Sequence, residues 1–344
     1  MAASRQTRLP ALAFAKRPLA YVAAVIALLV GCKPDLGIPP SLIDGPQLLD
    51  VHATPAEVKP GAEVALEALM VDGAGTVAAP IAWTICRSPK PPAESNAVSR
   101  ACLDQPDDGP ASPGPGSVTI PLDACSLFGP LTPPAQAGQP AVRPRDPDAT
   151  GGFYQPVRAA ARGLAGTTGQ DLLGFALVRI SCALANAPLE VSKAFNDPDT
   201  GYRANVAPRI DSITLVDATG VEWPLFAPGE AFAPPTVRAG EKVVLRAAWT
   251  DAAAEVFPVF DRAARTLVDT REALRVSWFT TAGEYLHDRT GRASEDRELS
   301  SENSWTAPVM GGAPEASGSV HFWAVLRDSR GGSDFASFQV TVAP

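Results

Sequence analysis

The chain has 344 residues, of which 46% are hydrophobic and 19% charged. At that length the prior is about two domains, and the composition excludes a disordered chain. The formal net charge of −8 describes an acidic protein that repels nucleic acid and anionic surfaces, which argues against basic-patch functions.

Residues 1–18 carry Arg5, Arg8, Lys16 and Arg17 and no acid, and Leu19 to Gly31 is an apolar run of 13 residues. That run is short of the roughly 20 residues a transmembrane helix needs, and it fits the apolar core of a signal peptide. It ends in Leu29-Val30-Gly31-Cys32, which resembles a bacterial lipobox. The resemblance implies that residues 1–31 are a lipoprotein signal peptide and that Cys32 is lipidated. Lys33 in place of an Asp after the cysteine implies, by the same resemblance, delivery to the outer membrane, facing the periplasm or the cell surface. Removing residues 1–31 leaves 25 basic and 37 acidic side chains, a net of −12. Residues 32–46 read as an extended lipidated tether, stiffened by Pro39 and Pro40.

Residues 47–195 read as a first β-sandwich. Leu49 to Val51 leads to a Pro55/Pro60-Gly61 turn, and Val64, Leu66 and Ala68 then alternate with Glu63, Ala65 and Glu67. Period-two alternation bounded by Pro and Gly predicts strands. Ile81 to Cys86 is another, with Ile81, Trp83 and Ile85 on one face. Fourteen of the 35 prolines fall between Pro89 and Pro147, so 87–150 reads as a long Pro-rich insertion, with one strand candidate at Val118 to Leu122. Gly152 to Ala161 is assigned as strand, Phe175 to Ile180 is a strong strand, and Leu189 to Val191 is expected to pair with it.

Beyond Cys32 the cysteines are Cys86, Cys102, Cys125 and Cys182, all in this first half. An even number in an exported chain predicts two disulfides, and the wide spacing lacks the close pairs of a zinc site. Three connectivities are open. The strand face that Cys86 occupies favours Cys102, which leaves Cys125 for Cys182. Residues 196–206 read as a linker, and its Asp197-Pro198-Asp199-Thr200-Gly201 turn offers oxygen ligands of the kind Ca²⁺ takes, although the full EF-hand spacing is missing. No other cofactor is expected.

Residues 207–344 read as a second sandwich, and an internal repeat marks it. Val58 to Ala68 and Val237 to Ala247 share V-[KR]-x-G-x-x-V-x-L-[ER]-A, each followed by a Trp-bearing strand, at Trp83 and Trp278. Both tryptophans are expected in the core. Phe175 to Ile180 and Phe322 to Leu326 are taken as corresponding apolar strands. Two long copies mean tandem domains rather than a solenoid. Val256 to Phe260, in a second insertion at 251–273, is either an extra strand or an exposed patch. Val320 to Val342 forms a hairpin around Asp328-Ser329-Arg330-Gly331-Gly332, and this stretch resembles the last two strands of PKD and related immunoglobulin-like modules of bacterial surface proteins. The fold class expected is therefore all-β, two tandem immunoglobulin-like β-sandwiches, the second PKD-like.

Chemistry is sparse. His52, His287 and His321 stand far apart, and neither a nucleophile elbow nor a glycine-rich phosphate loop is present. No catalytic residue is assigned. The expectation is a non-catalytic envelope lipoprotein, held to the membrane by its lipid. It displays sandwich loops, chiefly 87–150 and 251–273, for adhesion-type contact with envelope or matrix proteins. The alternative is a carbohydrate-binding surface module, which needs two or more exposed coplanar aromatic rings. An enzyme subunit is the weaker rival, requiring a carboxylate pair in a cleft.

Overall fold

The computed structural model describes residues 39–90, 98–104, 112–113, 115–129, 152–161, 164, 172–309 and 318–344. The chain divides into compact units at 1–39 and 40–344, and the fold below is that of the second. Residues 1–31, expected to be a signal peptide, and Cys32 lie outside the described residues.

The fold is all-β. In the first half the strands are β1 (Gln47–Thr54), β2 (Glu57–Val58), β3 (Glu63–Asp72), β4 (Gly75–Thr76), β5 (Pro80–Ile85), β6 (Ser112–Pro113), β7 (Gly116–Thr119), β8 (Gly152–Ala161) and β9 (Leu172–Ser181). One sheet runs β1-β3-β4 with β7 also on β3, and the facing sheet runs β2-β9-β8-β5-β6. The second half has β10 (Ser212–Val216), β11 (Glu222–Phe226), β12 (Thr236–Arg238), β13 (Lys242–Ala248), β14 (Val256–Asp261), β15 (Thr266–Arg271), β16 (Leu274–Thr280), β17 (Glu284–Tyr285), β18 (Arg289–Arg292), β19 (Ser300–Thr306), β20 (Gly318–Asp328) and β21 (Ser333–Ala343). Its sheets run β11-β10-β13-β19-β17 and β12-β21-β20-β16-β18, with β14 and β15 pairing only with each other.

The sequence repeat is a repeat of topology. β1-β3-β7 matches β10-β13-β19, and β2-β9-β8-β5 matches β12-β21-β20-β16. In each copy the repeat's first valine, Val58 or Val237, sits on a short strand running parallel to the last strand of its sandwich. The glycine that follows, Gly61 or Gly240, has φ of +86° or +75°, a conformation that costs a side-chain-bearing residue energy and glycine little. That turn feeds β3 or β13, whose alternate residues enter the core. Period-two patterning places Val64, Leu66, Trp83 and Ile180 in the first core, and Leu245, Trp278, Phe322 and Val340 in the second. This is the immunoglobulin-like sandwich expected from the sequence, with Trp83 and Trp278 inside as expected.

Several local expectations change. Phe175 to Ile180 belongs to β9, the last strand of its sandwich, whereas Phe322 to Leu326 belongs to β20, the next to last. The counterpart of β20 is β8, which occupies the 152–161 segment assigned as strand from the sequence. Leu189 to Val191 does not pair with β9. It opens a helix, Leu189–Phe195, entered from Pro188 at φ −57° and carrying a Glu190–Lys193 ion pair one turn apart. Proline preset for helix entry and an apolar Val191/Phe195 pair at i, i+4 explain the choice.

Within the described part of the 87–150 insertion, α1 (Arg100–Leu103) carries Cys102, α2 (Ala124–Leu127) carries Cys125, and β7 joins β3. Cys86 bonds Cys102 and Cys125 bonds Cys182, with Cα separations of 5.4 and 5.8 Å. The helix Leu189–Phe195 is α3.

Candidate functional site

The largest buried polar network among the described residues lies at the joint between the two sandwiches, which has an apolar half and an ionic half. On β3, Val64 and Leu66 face inward against exposed Glu63, Ala65 and Glu67, but near its end Leu69, Met70 and Val71 are all buried. On β20, Trp323 and Val325 point away from their own core and are also buried. Leu69, Val71, Trp323, Val325 and Ile43 form one cluster, with Phe279 and Phe335 packed against it. Burying large apolar side chains of this kind contributes about 1.5–3 kcal/mol each. Polar contacts ring the cluster. The Trp323 indole N–H donates to Thr76 Oγ1 at 3.0 Å, Arg327 donates to the Leu49 carbonyl and to Asp50 at 2.8 Å each, and Ser333 donates to Asp50 at 2.6 Å.

The tether is part of this joint. Leu42 bridges Thr280 in parallel, Thr280 N–H donates to the Ser41 carbonyl, and Ile43 is 1% exposed. The segment expected to hang free to residue 46 is therefore docked on the second sandwich from Ser41 onward.

The ionic half gathers around Tyr202, in the segment expected to be a plain linker. Its hydroxyl donates to Glu57 Oε2 at 2.6 Å and accepts from Arg179 Nη2 and Arg330 Nη1, both at 3.1 Å. Glu57 also receives Arg179 Nε at 3.0 Å, the Asn205 backbone N–H at 3.0 Å and Ser181 Oγ at 2.7 Å. Arg330 comes from the Asp-x-x-Gly-Gly turn between β20 and β21. It donates to Glu272 and Glu255 at 2.6 Å each and to the Arg203 carbonyl at 3.0 Å. Its guanidinium also lies 4.5 Å from the centre of the Phe257 ring. Arg179, Arg330, Glu57 and Glu272 are all 3% exposed or less.

The 251–273 insertion closes the arrangement. Val256 to Phe260 is a strand, so of the two sequence readings the extra strand is correct. Glu255 and Glu272 stand at the base of the β14–β15 hairpin, where the Glu272 N–H donates to the Glu255 carbonyl and the Glu255 N–H donates to the Glu272 carboxylate. Phe260, from this hairpin, is buried with Leu184 and with Phe195 of α3. The insertion expected to meet partners packs through Phe260 onto the end of the first sandwich.

Burial governs the proton equilibria here. Burial and the nearby Asp328 carboxylate push Glu272 up to about 7, against the pull of Arg330. Burial likewise raises Asp328 although Asn205 and the Gly332 and Arg330 amides oppose it. Burial pushes the Tyr202 hydroxyl up to about 12. For Arg179, burial pulls the value down but Tyr202 and Glu57 outweigh it and keep it charged. Glu272 thus binds a proton more tightly folded than unfolded, where its ordinary value is 4.5. Its ionisation opposes folding above about pH 7, and that penalty is relieved as the pH falls through the interval down to about 4.5. Between about pH 8 and about pH 5 we expect a gain in stability on the order of 2–3 kcal/mol from this group. Urea midpoints measured across that range check it, and Glu272→Gln should flatten the profile.

The other expected site residues fall apart from this cluster. Asp197 Oδ1 accepts from the Asp199 and Thr200 N–H groups and from Thr200 Oγ1 at 2.8–2.9 Å, and these bonds hold its carboxyl below the usual range. In the turn expected to take Ca²⁺ at Asp197 and Asp199, Asp197 Oδ1 is thus engaged by the turn's own donors. Among the described residues no group of three or more His, Cys, Asp or Glu is placed to hold a metal ion. Of the six tryptophans only Trp223 is substantially exposed, at 47%, while Trp83, Trp249, Trp278, Trp305 and Trp323 are buried. The pair of exposed rings needed for sugar stacking is not found among the described tryptophans.

No protein-family model matches the chain, and no curated protein matches it in sequence. Among solved structures it is similar to a protein of unknown function from Porphyromonas gingivalis W83. The identity is 10%, covering 86% of this chain and 99% of that one, with a TM-score of 0.20. It is also similar to dimeric latent PorU from Porphyromonas gingivalis, at 14% identity over 87% of this chain, with a TM-score of 0.19. It covers 24% of that PorU chain. A third is the sialic acid binding region of a Streptococcus sanguinis SK1 adhesin bound to 3'sLn, at 11% identity, covering 89% of this chain and 78% of that one, with a TM-score of 0.17. Likenesses this slight carry no functional argument.

Proposed function

We propose that this chain is a non-catalytic lipoprotein of the bacterial envelope, anchored at Cys32 and presenting a rigid pair of immunoglobulin-like sandwiches, the second PKD-like, to other envelope or matrix proteins. The observation that carries the reading is the joint. Its buried charges are paired within each sandwich, Arg179 with Glu57 and Arg330 with Glu255 and Glu272, and the two sets are bridged by Tyr202 and Asn205 of the linker, which is the behaviour of a scaffold rather than of a reaction site. A display module works by keeping its surface in one orientation, and a joint closed by an apolar cluster, by hydrogen bonds through Tyr202 and Asn205 and by a packed hairpin does that. Docking of Ser41 to Ile43 changes the geometry of display from that of a long stalk. Nine peptide steps separate Cys32 from Ser41, at most roughly 30 Å of extended chain, so a lipid on Cys32 would hold the sandwiches close to the bilayer.

The test is the anchor itself. Cys32→Ser in the native host should move the protein from the membrane fraction to the soluble fraction, unprocessed by lipid labelling and with an unchanged melting temperature. Continued membrane association of that variant would overturn the reading.

A further inference from the structure

We propose that β9 is an assembly edge, to which a second copy of this chain adds its own β9 antiparallel across a two-fold axis. β9 pairs with β8 along its whole length, from Leu172 to Ser181. On its other side, among the described residues, it pairs only with β2, at Arg179 and Ile180. Pro156 fixes which way the remaining peptide groups point. It has no N–H, and its carbonyl accepts from the Cys86 N–H at 3.1 Å, so its peptide groups face β5. Leu177 stands opposite Pro156 in an unbroken register. The two therefore form a non-hydrogen-bonded pair, and Leu177 turns its N–H and C=O away from β8. By alternation Phe175 and Leu173 do the same. Among the described residues none of these edge groups has a partner. An opening of about 460 Å³ lies along residues 174–177 of the same edge.

The side chains make this edge adhesive. Ala176, Val178 and Ile180 enter the core, which leaves Leu173, Phe175 and Leu177 on the outer face, with Leu173 44% and Leu177 46% exposed. Edge strands are ordinarily blunted by charge, proline or a bulge, and Leu172 to Val178 has none of the three. The second sandwich provides the contrast. Thr236 and Val237 pair with Thr341 and Val342 as Glu57 and Val58 pair with Arg179 and Ile180, so Phe175 and Leu177 correspond to Ser337 and Gln339, and Leu173 corresponds to Phe335, which packs into the joint. The pattern of β9 also selects the occupant. Outward from Phe175 the strand is symmetric in kind: Gly174 and Ala176 are small, Leu173 and Leu177 are identical, and Leu172 and Val178 are aliphatic. Antiparallel self-pairing centred on Phe175 sets Leu173 of each copy opposite Leu177 of the other, and the free N–H and C=O groups of the two copies meet. Such a contact is isologous and closes at two copies. The segment carries no charge, so chains of net charge −8 meet there without like charges opposed.

The test uses the full chain carrying Cys32→Ser, so that self-association is read without any lipid anchor and independently of the proposed lipidation. Sedimentation velocity over about a hundredfold range of concentration should show a reversible monomer–dimer equilibrium. Leu173→Lys with Leu177→Lys changes two exposed side chains, should leave the melting temperature unchanged, and sets lysine opposite lysine in the proposed register. It is expected to weaken association about tenfold or more. That variant is less acidic than the parent, so overall charge repulsion does not account for the loss. Leu173→Glu with Leu177→Lys sets glutamate opposite lysine instead and should associate more tightly than the double-lysine variant. A parent that stays monomeric throughout, association untouched by the two lysines, or equal association of the two variants overturns the proposal.

Discussion

Arg330→Ala is expected to cost roughly 3–5 kcal/mol, because it leaves the buried Glu272 without its cation, beside the partly exposed Glu255. The side chain is 2% exposed and donates to two carboxylates, a tyrosine hydroxyl and a backbone carbonyl. Removing it deprives every one of those acceptors at once, and Glu272, unlike the partly exposed Glu255, has no access to water in its place. Two measurements check this. Chemical denaturation should give a lower midpoint, and limited proteolysis should now cut within 196–206, where Tyr202 and Asn205 lose their fixed surroundings. The cost is not that of the charge alone. Combining Arg330→Ala with Glu272→Gln should recover part of the loss, because the glutamine removes one of the orphaned charges, and a double-mutant cycle then isolates the pair. A midpoint within 1 kcal/mol of the parent, with 196–206 still protected, would show that the apolar cluster alone holds the sandwiches together.

Much of each sandwich was legible because a half-buried strand writes its two faces into alternate residues. The V-[KR]-x-G repeat, the two core tryptophans and the β20–β21 hairpin could all be read that way. The joint was less legible, yet two of its signals stand in the sequence. Alternation breaks at Leu69-Met70-Val71 on β3, and Phe322 to Leu326 on β20 is apolar without interruption. Runs of this kind belong to strands buried on both faces, and the second face of each lies against the other sandwich. The ionic half left no such signal. Glu57, Arg179, Tyr202, Glu255, Glu272 and Arg330 are scattered over more than 270 positions and meet only through tertiary folding. Single charged residues in turns and strand ends read as solvated, and only burial reveals otherwise. Leu189 to Phe195 shows the limit of local pattern, since Leu-Glu-Val satisfies both a two-residue and a helical period until Phe195 supplies the fourth-residue partner.

Breaking the Cys125–Cys182 bridge should destabilise the chain by about 4 kcal/mol, and breaking Cys86–Cys102 by about 3 kcal/mol, on the chain-entropy account of a cross-link. The order follows from loop size, a separation of 57 residues against 16. Both bridges fasten the first sandwich, where the insertion's helices α1 and α2 have few turns of their own to stabilise them. Cys125 ties α2 to the residue that follows β9, and Ser181, its neighbour, donates to Glu57 in the joint. Loss of this bridge should therefore loosen the ionic network as well as the insertion. Cys125→Ser with Cys182→Ser, compared with Cys86→Ser with Cys102→Ser, should give the lower denaturation midpoint, and both should fall below the parent. The bearing on function is direct. Disulfides that contribute this much stability would support the proposed export, because such bridges form and persist in oxidising compartments. Chain made in a reducing cytoplasm should show the midpoint of the variant lacking all four cysteines, and reoxidation should restore the parent value. Equal midpoints for reduced and oxidised chain would remove this support for export and leave the proposal resting on Cys32 alone.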